Sequence, residues 1–86
     1  MTHSVTLIGK PECHLCDDAR GVIQRVLAQL QATASVTFDE KSILDDDVLY
    51  QQYWEQIPVV LIDGEQHTYW RVDEKRLTAA LTADDV

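Results

Sequence analysis

Residues 10–16 have the sequence Lys-Pro-Glu-Cys-His-Leu-Cys and join a short apolar run to a long amphipathic segment. The run before them, Val5-Thr6-Leu7-Ile8, is apolar and β-branched, which is typical of a buried strand. After them, apolar residues recur at a helical period from Leu15 to Leu30, and we expect this stripe to face the core. The two cysteines of the chain, Cys13 and Cys16, are therefore predicted to lie where a strand passes into a helix.

Two shorter elements are predicted after the first helix. The alternation in Ser35-Val36-Thr37-Phe38 indicates a second strand. Asp45-Asp46-Asp47 then places acid at the start of a short helix, and Val48, Leu49 and Tyr53 are expected to face inward. Because a helix separates the first two strands, we expect these strands to be parallel and joined by a right-handed crossover.

The second half of the chain predicts a hairpin and a last helix. Val59-Val60-Leu61-Ile62 is the most apolar run and predicts a central strand that is covered on both faces. Asp63-Gly64 is a strong hairpin signal, which makes Glu65 to Trp70 the antiparallel partner at a sheet edge. Asp73 is a favourable N-cap for the last helix. The order β-α-β-α-β-β-α predicts an α/β fold, a four-stranded mixed sheet flanked by helices, in a single domain over residues 1–86.

The charge of the chain excludes two classes of partner. Its 86 residues hold 15 Asp and Glu against 7 Lys and Arg, a formal net charge of −8. Such an acidic chain is not expected to bind nucleic acid or an anionic membrane, since both require a basic surface. Residues 1–43 hold four basic and five acidic residues, whereas residues 44–86 hold three and ten. We therefore expect a small anion to bind through the first half.

The cysteine count indicates the compartment. Two cysteines three positions apart are too few for the disulfide framework of a secreted protein, and a bond between them would close a very short loop. Residues 1–10 contain no apolar stretch of signal-peptide length, and no run approaches membrane-spanning length. We expect a cytoplasmic protein that works as a monomer, in which a close cysteine pair is more often redox-active or metal-binding than structural.

The position of the cysteine pair predicts thiol chemistry. Backbone N–H groups and the positive dipole end of a helix N-terminus stabilise a thiolate, which is the nucleophilic form of cysteine. We expect Cys13 to lie at the exposed mouth of the helix and to attack a disulfide, while Cys16, one turn inside, resolves the mixed disulfide. Two inert cysteines of the core are the structural alternative.

Four charged residues beside the cysteines are predicted to act in opposite directions. Lys10 and His14 are expected to lower the pKa of the Cys13 thiol. Glu12 and Asp17 are expected to raise that pKa, because a carboxylate repels a thiolate. The alternative for the two acids is that they are ordinary residues of a first helical turn with no tuning role.

A second candidate element is Ile57-Pro58, directly before the most apolar run. Beside a Cys-x-x-Cys pair, we expect this proline to follow a cis peptide bond in a turn that faces the cysteines. The backbone of Ile57 would then be free to pair with an extended substrate, as in strand addition. A plain strand start is the alternative for Pro58.

Metal binding is the other chemistry that two thiolates can support. Structural zinc requires four ligands, and Cys13 and Cys16 have no second pair in the chain. We therefore expect no metal site within one chain, while a zinc ion or an iron–sulfur cluster shared between two chains remains open. His67 is expected to face solvent, His3 to lie in a frayed terminus, and Asp84-Asp85 to form a solvated tail.

With these motifs in place, the chain resembles glutaredoxins, and more closely the small bacterial glutaredoxin-like proteins of the thioredoxin superfamily. The resemblance rests on Lys-Pro-x-Cys-x-x-Cys between strand and helix, and on Ile-Pro-Val-Val before an Asp-Gly hairpin. It implies a thioredoxin-like fold and thiol–disulfide exchange, with Cys13 attacking and forming a redox-active disulfide with Cys16. Lys10 matches a lysine that helps to bind the glutathione carboxylate in the family, and Pro58 matches the cis-proline of the family.

The chain departs from glutaredoxins at two places. His14-Leu15 stand where the family usually has Pro-Tyr, and Trp70-Arg71-Val72 replace a Gly-Gly pair, which narrows the groove for glutathione. Asp73 matches the acidic start of the last helix. The run from Trp70 to Asp73 is similar to an aromatic-Arg-x-Asp run in redoxins that thioredoxin reductase serves. An edge-packing role is the alternative for Trp70.

The resemblance also implies the partners of the chain. The substrate would be a disulfide-bearing protein or glutathione, and the electrons would come from the glutathione system or from thioredoxin reductase. No cofactor is expected, with glutathione as a possible co-substrate. A domain that keeps this fold for binding alone, without turnover, is the remaining alternative.

Overall fold

The computed structural model of the chain describes residues 2–31 and 35–82, so the predicted acidic tail Asp84-Asp85 lies outside the described residues. The described part contains four strands, three α-helices and one short 3₁₀ helix. In chain order these are β1 (Thr2–Gly9), α1 (His14–Leu30), β2 (Ser35–Ser42), the 3₁₀ helix (Ile43–Asp45), α2 (Asp47–Tyr53), β3 (Val59–Ile62), β4 (Glu65–Tyr69) and α3 (Glu74–Thr82).

The four strands form one mixed sheet in the order β2-β1-β3-β4. β1 runs parallel to β2 and antiparallel to β3, and β3 pairs with β4 in an antiparallel hairpin. Val5 is paired with Phe38 on one side and with Ile62 on the other, which places β1 in the middle of the sheet. The predicted thioredoxin-like α/β fold is therefore confirmed, including the central position of β3.

The helices cover both faces of the sheet. On one face, α1 and α3 pack over β1 and β3 through a core that includes Val5, Ile23, Val60 and Leu77. On the other face, the 3₁₀ helix and α2 cover a smaller cluster. The members of this smaller cluster are Ile8, Ile43, Tyr53 and Val59. Because both faces are covered, the apolar residues of β1 and β3 are buried on either side of the sheet.

Two residues that were expected in the core are exposed. Leu15 is 43% exposed and lines a groove, because the neighbouring Cys16 takes the inward face of the first turn of α1. Val48 is 69% exposed, since Leu49 and Tyr53 take the inward face of α2 and Val48 lies 100° away from Leu49 around the helix. Periodicity could not have predicted the exposure of Leu15 or Val48, because it fixes the inward face of a helix only to within about one residue.

Two strand boundaries also differ from the prediction. β2 continues past Phe38 to Ser42, because residues 39–42 pair with the end of β1 at the edge of the sheet, where polar side chains can face solvent. There Thr6 Oγ1 donates to Asp39 Oδ1 at 2.8 Å. β4 ends at Tyr69 rather than Trp70, because Trp70 has a left-handed backbone with φ 66°.

The β3–β4 turn confirms the Asp-Gly hairpin and ties it to β1. Asp63 and Gly64 both have positive φ, 53° and 85°, as a two-residue hairpin turn requires. Asp63 Oδ1 accepts the backbone N–H of Ser4 at 2.9 Å, and Asp63 Oδ2 lies 2.6 Å from Nδ1 of His3. The expectation that His3 is frayed was wrong, because His3 is buried and belongs to β1.

His67 was expected to face solvent, and this expectation was also wrong. The pairing of β4 with β3 passes from Thr68 to Gln66, so His67 lies in a bulge and is half-buried. Within residues 2–31 and 35–82, the buried His67 Nε2 atom has no hydrogen-bond partner. No helix in this described part of the chain has the length and apolar character needed to cross a membrane.

Candidate redox site

The site is built at the start of α1, where Cys13 is the N-cap residue. Cys13 has an extended backbone, and its Sγ atom accepts the backbone N–H of Cys16 at 3.2 Å. A disulfide joins Cys13 to Cys16, with the two Cα atoms 5.2 Å apart. The chain enters this cap through Glu12, whose φ of 57° turns the backbone from the end of β1 into the helix.

The two sulfur-bearing residues differ in their exposure. Cys13 is half-buried at the open end of the helix, whereas Cys16 is 1% exposed. The inner cysteine packs against the backbone of Gly9, the last residue of β1. A molecule approaching from solvent therefore contacts Cys13 before Cys16, as the motif predicted.

Pro58 lies at the same end of the sheet as the cysteine loop. The register of β1 with β3 pairs Ile8 with Val59, so Pro58 follows the line of the strand opposite Gly9. The Ile57–Pro58 peptide bond is cis, and the Pro58 side chain is fully buried. Ile57 is half-buried and packs against the smaller core cluster. The predicted turn thus stands beside the end of β1 that leads to Cys13.

Trp70 is held close to Pro58 by hydrogen bonds. Its backbone N–H donates to the carbonyl of Pro58 at 2.8 Å and approaches that of Gln56 at 3.3 Å, while its indole Nε1 donates to the carbonyl of Glu55 at 3.0 Å. The ring borders a groove of about 200 Å³ that Leu15 also lines. Leu15 follows Cys13 by two positions, so this groove adjoins the more exposed end of the disulfide.

Lys10 lines a different depression. This second cavity has a volume of about 230 Å³. The residues that line it include Cys16, Lys10, Gly9, Arg20 and Glu40. The structure therefore does not bring Lys10 and Trp70 into one pocket, although both were predicted to bind substrate. The exposed side chains of Glu12 and His14 flank Cys13 in sequence.

Arg20 and Glu40, which line the same cavity as Cys16, belong to an ion-pair network. Arg20 donates through Nε and Nη2 to the two carboxylate oxygens of Glu40, at 2.6 and 3.0 Å, and through Nη1 to Asp17 at 2.8 Å. These hydrogen bonds, first to Glu40 and then to Asp17, raise the pKa of the Arg20 guanidinium above its ordinary value. The carboxylate of Asp17, which was expected to act on the thiol, is thus bonded to Arg20.

Asp73 caps the start of the last helix, as the sequence predicted. Its side chain accepts the backbone N–H of Arg76 at 3.0 Å, which makes it the N-cap of α3. Its backbone carbonyl accepts the N–H of Leu77 at 3.0 Å, and Leu77 is fully buried in the main core. The cap therefore fixes the start of α3 next to Trp70 and the groove.

Sequence reasoning missed three residues of the site. The local pattern indicates Gly9 only as the end of a strand, and Arg20 and Glu40 only as charges. The register of a parallel pair places Glu40 beside Leu7, two residues before Gly9, but this register is visible only in the folded sheet. A glycine at the end of the strand before Cys-x-x-Cys is the one local signal that could have indicated a close contact.

The described part of the chain contains no set of side chains that could bind a metal ion. Within residues 2–31 and 35–82, no three His, Cys, Asp or Glu side chains are grouped so that they could hold a metal ion. A metal or cluster shared between two chains would therefore have to take its further ligands from a second copy.

Comparison with known proteins agrees with this architecture. Residues 4–82 match the family model described as Glutaredoxin-like domain (DUF836), and the chain belongs to this family. The curated relatives include Rv0508 of Mycobacterium tuberculosis and Mb0520 of Mycobacterium bovis. Each is 34% identical over 83 residues, which cover 87% of this chain and 78% of the relative.

The structural comparison gives the same fold. The X-ray structure of the Northeast Structural Genomics target protein XcR50 from X. campestris is 33% identical, with a TM-score of 0.66. The match covers 92% of this chain and 96% of that one. The solution structure of XcR50 has a TM-score of 0.64. This chain is therefore a glutaredoxin-like protein with a thioredoxin fold, and its cysteine pair supports a redox-type function.

Proposed function

We propose that this chain is a thiol–disulfide oxidoreductase in which Cys13 attacks and Cys16 resolves. The observation that carries the proposal is the unequal exposure of the two bonded cysteines at the start of α1. Cys13 is half-buried at the helix mouth, and Cys16 is 1% exposed. The exposure of the outer sulfur supports it as the atom that meets a bulky disulfide, and its bond to the buried sulfur supports the inner one as the resolving atom.

The first step is the attack of the Cys13 thiolate on a substrate disulfide. A bond forms between Cys13 Sγ and one substrate sulfur, the substrate S–S bond breaks, and the other substrate sulfur leaves as a thiolate. The Cys16 N–H, 3.2 Å from Cys13 Sγ, donates a hydrogen bond to the attacking sulfur. The positive end of the α1 dipole acts in the same direction.

The second step is resolution by Cys16. Its thiol loses a proton to solvent, and the thiolate attacks Cys13 Sγ, so that the mixed disulfide breaks and the second substrate sulfur leaves as a thiolate. The products are a reduced substrate with two thiols and the Cys13–Cys16 disulfide. Two electrons and two protons from a reductase or from two thiols return the pair to the reduced form.

We propose a disulfide-bearing protein or a glutathione mixed disulfide as the substrate. The side chains that would contact it are Trp70 beside the groove, Pro58 directly before β3, and Lys10, which lines a cavity with Cys16. Asp73 contributes by capping α3 next to the groove. A reducing cytoplasm suits the proposal, since a dithiol of this kind needs a supply of electrons to turn over.

The test is a reduction assay with two electron sources, glutathione with glutathione reductase, and thioredoxin reductase. Cys13→Ser is expected to abolish activity with either source, because no attacking thiolate remains. Cys16→Ser is expected to keep only a monothiol route with glutathione, in which a second glutathione replaces the resolving thiol. Full activity of Cys13→Ser would refute the mechanism.

The metal content of the purified protein tests the alternative. A stoichiometric zinc ion or the visible absorption of an iron–sulfur cluster, together with no disulfide reduction, would assign the two thiolates to metal binding. The same fold without either property would be a binding domain. The assay and the metal analysis thus separate the three possibilities.

A further inference from the structure

One segment combines exposed apolar side chains with charge of one sign. Residues 42–70 hold six acidic residues and no Lys or Arg. Within the described part of the chain, this segment also supplies six of the seven large apolar residues that are exposed. These six are Leu44, Val48, Tyr50, Trp54, Tyr69 and Trp70. Exposed apolar side chains of this kind do not stabilise the core, and those that share one helix face with a carboxylate can contact a partner.

The aromatic part of this surface is ordered on α2. Asp47, Tyr50 and Trp54 are spaced at i, i+3 and i+7, so they share one face of the helix, which we call the α2 aromatic face. The Tyr50 and Trp54 rings are stacked, with centroids 6.3 Å apart and planes at 9°. They are 42% and 52% exposed. The two rings therefore offer nearly parallel flat surfaces beside a carboxylate.

The α2 aromatic face is joined to the candidate redox site by hydrogen bonds. Glu55, directly after Trp54, accepts the indole N–H of Trp70 at 3.0 Å through its carbonyl. Trp70 in turn donates its backbone N–H to Pro58 at 2.8 Å and borders the groove beside Leu15. Trp70 thus links the end of α2 to the groove, so a partner bound on the face would lie near the candidate redox site.

The chemistry of the face selects a cationic and planar group. A guanidinium stacks on the faces of Trp and Tyr rings and pairs with a carboxylate at the same time, which an ammonium does less well. A second copy of this chain would bring two acidic surfaces together, and an anionic membrane would be repelled. The charge of residues 42–70 therefore favours a basic protein partner.

We propose that the α2 aromatic face docks an arginine-bearing segment of the disulfide-bearing protein on which this chain acts. The inference rests on the proposed disulfide exchange and adds a substrate class to it, namely proteins with arginine near the reactive disulfide. Asp47 pairs with the guanidinium while Tyr50 and Trp54 stack against it. The docked segment holds the substrate disulfide near Cys13 and raises the rate of attack.

The test uses two synthetic peptides that each contain one internal disulfide. They differ only in three positions, which are Arg in one peptide and Gln in the other. The pre-reduced protein is mixed with each peptide, and the second-order rate constant of peptide reduction is measured in a single turnover, with hydroxyethyl disulfide as a small neutral probe. We expect the Arg peptide to react about tenfold faster at low ionic strength, and the preference to shrink with salt.

Variants of the face then test its residues. Asp47→Asn and Trp54→Ala are each expected to lower the Arg-to-Gln rate ratio by about two- to fivefold, the size of one exposed cation–π or charge contact. Val48→Ala is the matched control, since Val48 is exposed on the other flank of α2 and should keep the ratio. Asp47→Asn is nearly isosteric and keeps the test valid if Trp54→Ala does not fold.

The possible results separate the two proposals. If the protein reduces hydroxyethyl disulfide and reduces both peptides with the same rate constant, the docking inference is overturned and the proposed function is unaffected. A protein that reduces neither hydroxyethyl disulfide nor either peptide overturns both. If sedimentation shows a wild-type dimer that Trp54→Ala abolishes, the face belongs to a second copy and the docking inference is overturned.

Discussion

Gly9 and Cys16 are in direct contact, and a Cβ atom placed on Gly9 would lie only 2.7 Å from Cys16 Sγ and 3.2 Å from its Cβ. Real side chains do not approach this closely, so the absence of a side chain at Gly9 is what gives the inner sulfur its place. The end of β1 thus determines where the sulfur of Cys16 lies, although Gly9 itself lies outside the cysteine motif.

Gly9→Ala is therefore expected to destabilise the protein and to shift its redox properties. Overpacking against a residue held in the core costs about 1–3 kcal/mol, which thermal unfolding would measure. The reduction potential of the Cys13–Cys16 pair is expected to change as well, because the disulfide must move to make room. A purely structural effect would lower the stability and leave this potential as it was.

Two controls accompany this variant. In a Cys16→Ala background the shorter of the two contacts is gone, so most of the cost of Gly9→Ala should disappear. Gly21→Ala in the middle of α1 meets no atom within 4 Å and is expected to stabilise the protein by up to about 1 kcal/mol. Equal costs of Gly9→Ala with and without Cys16 would contradict the role of the contact.

Trp70→Gly is expected to favour glutathione as the electron source. Trp70 has a φ of 66°, which glycine adopts without steric cost, and its ring borders the groove beside Leu15. Removing the ring opens the groove, and a gain of about one hydrogen-bond contact would raise the glutathione-driven rate relative to a dithiol-driven rate by about three- to tenfold. Trp70→Phe keeps the bulk of the ring and should retain the wild-type ratio.

Acid is expected to weaken the link between β1 and the hairpin. The backbone N–H of Ser4, followed by the His3 ring, lowers the pKa of the Asp63 carboxyl below its ordinary value of 3.8. A carboxyl whose pKa is lowered by folding adds stability above its unfolded pKa, and this contribution is lost as the pH falls through the folded value.

Asp63→Asn tests this link, because asparagine also tolerates the positive φ of the turn. Urea unfolding at several pH values should show wild type more stable than Asp63→Asn near pH 7. The difference should shrink below about pH 4, where the unfolded carboxyl takes up its proton. A difference that stays constant down to pH 2 would exclude the ionised carboxyl as its source.

His67 is expected to add a second and separate pH dependence. Burial lowers the pKa of the His67 imidazole below its ordinary value of 6.5, and nearby Arg76 lowers it further. Since the unfolded chain binds this proton more readily, stability should fall as the pH drops from about 6.5 towards the folded pKa. His67→Gln cannot titrate there, so its unfolding free energy should change less than that of wild type between pH 7 and 5.

The elements of the fold with strong local signals were predictable from the sequence. The Asp63-Gly64 turn needs two residues that tolerate positive φ, and few other dipeptides provide them. The apolar run Val59–Ile62 is removed from water only where other elements cover both faces of its strand. The position of Cys13 at the helix mouth was also predictable, because Pro11 ends the strand and the helical period begins shortly after it.

The features that depend on partners distant in sequence were not predictable. Leu15 has the correct period for the core, yet it lines a groove whose other wall, from Trp70 to Val72, comes from the far end of the chain. His3 is held by Asp63, sixty positions away, and no local pattern in β1 indicates this bond. The Gly9–Cys16 contact likewise depends on how closely α1 approaches β1, which is a property of the packed molecule.

The placement of the two tryptophans gives the protein its own optical reporters. Trp54 lies on the α2 aromatic face, and Trp70 lies at the groove beside the start of α1, and these are the only tryptophans in the chain. In Trp70→Phe the remaining indole emission comes from the face, and in Trp54→Phe it comes from the groove. Binding on α2 and oxidation at Cys13 can thus be followed as two separate fluorescence signals, without attaching a dye.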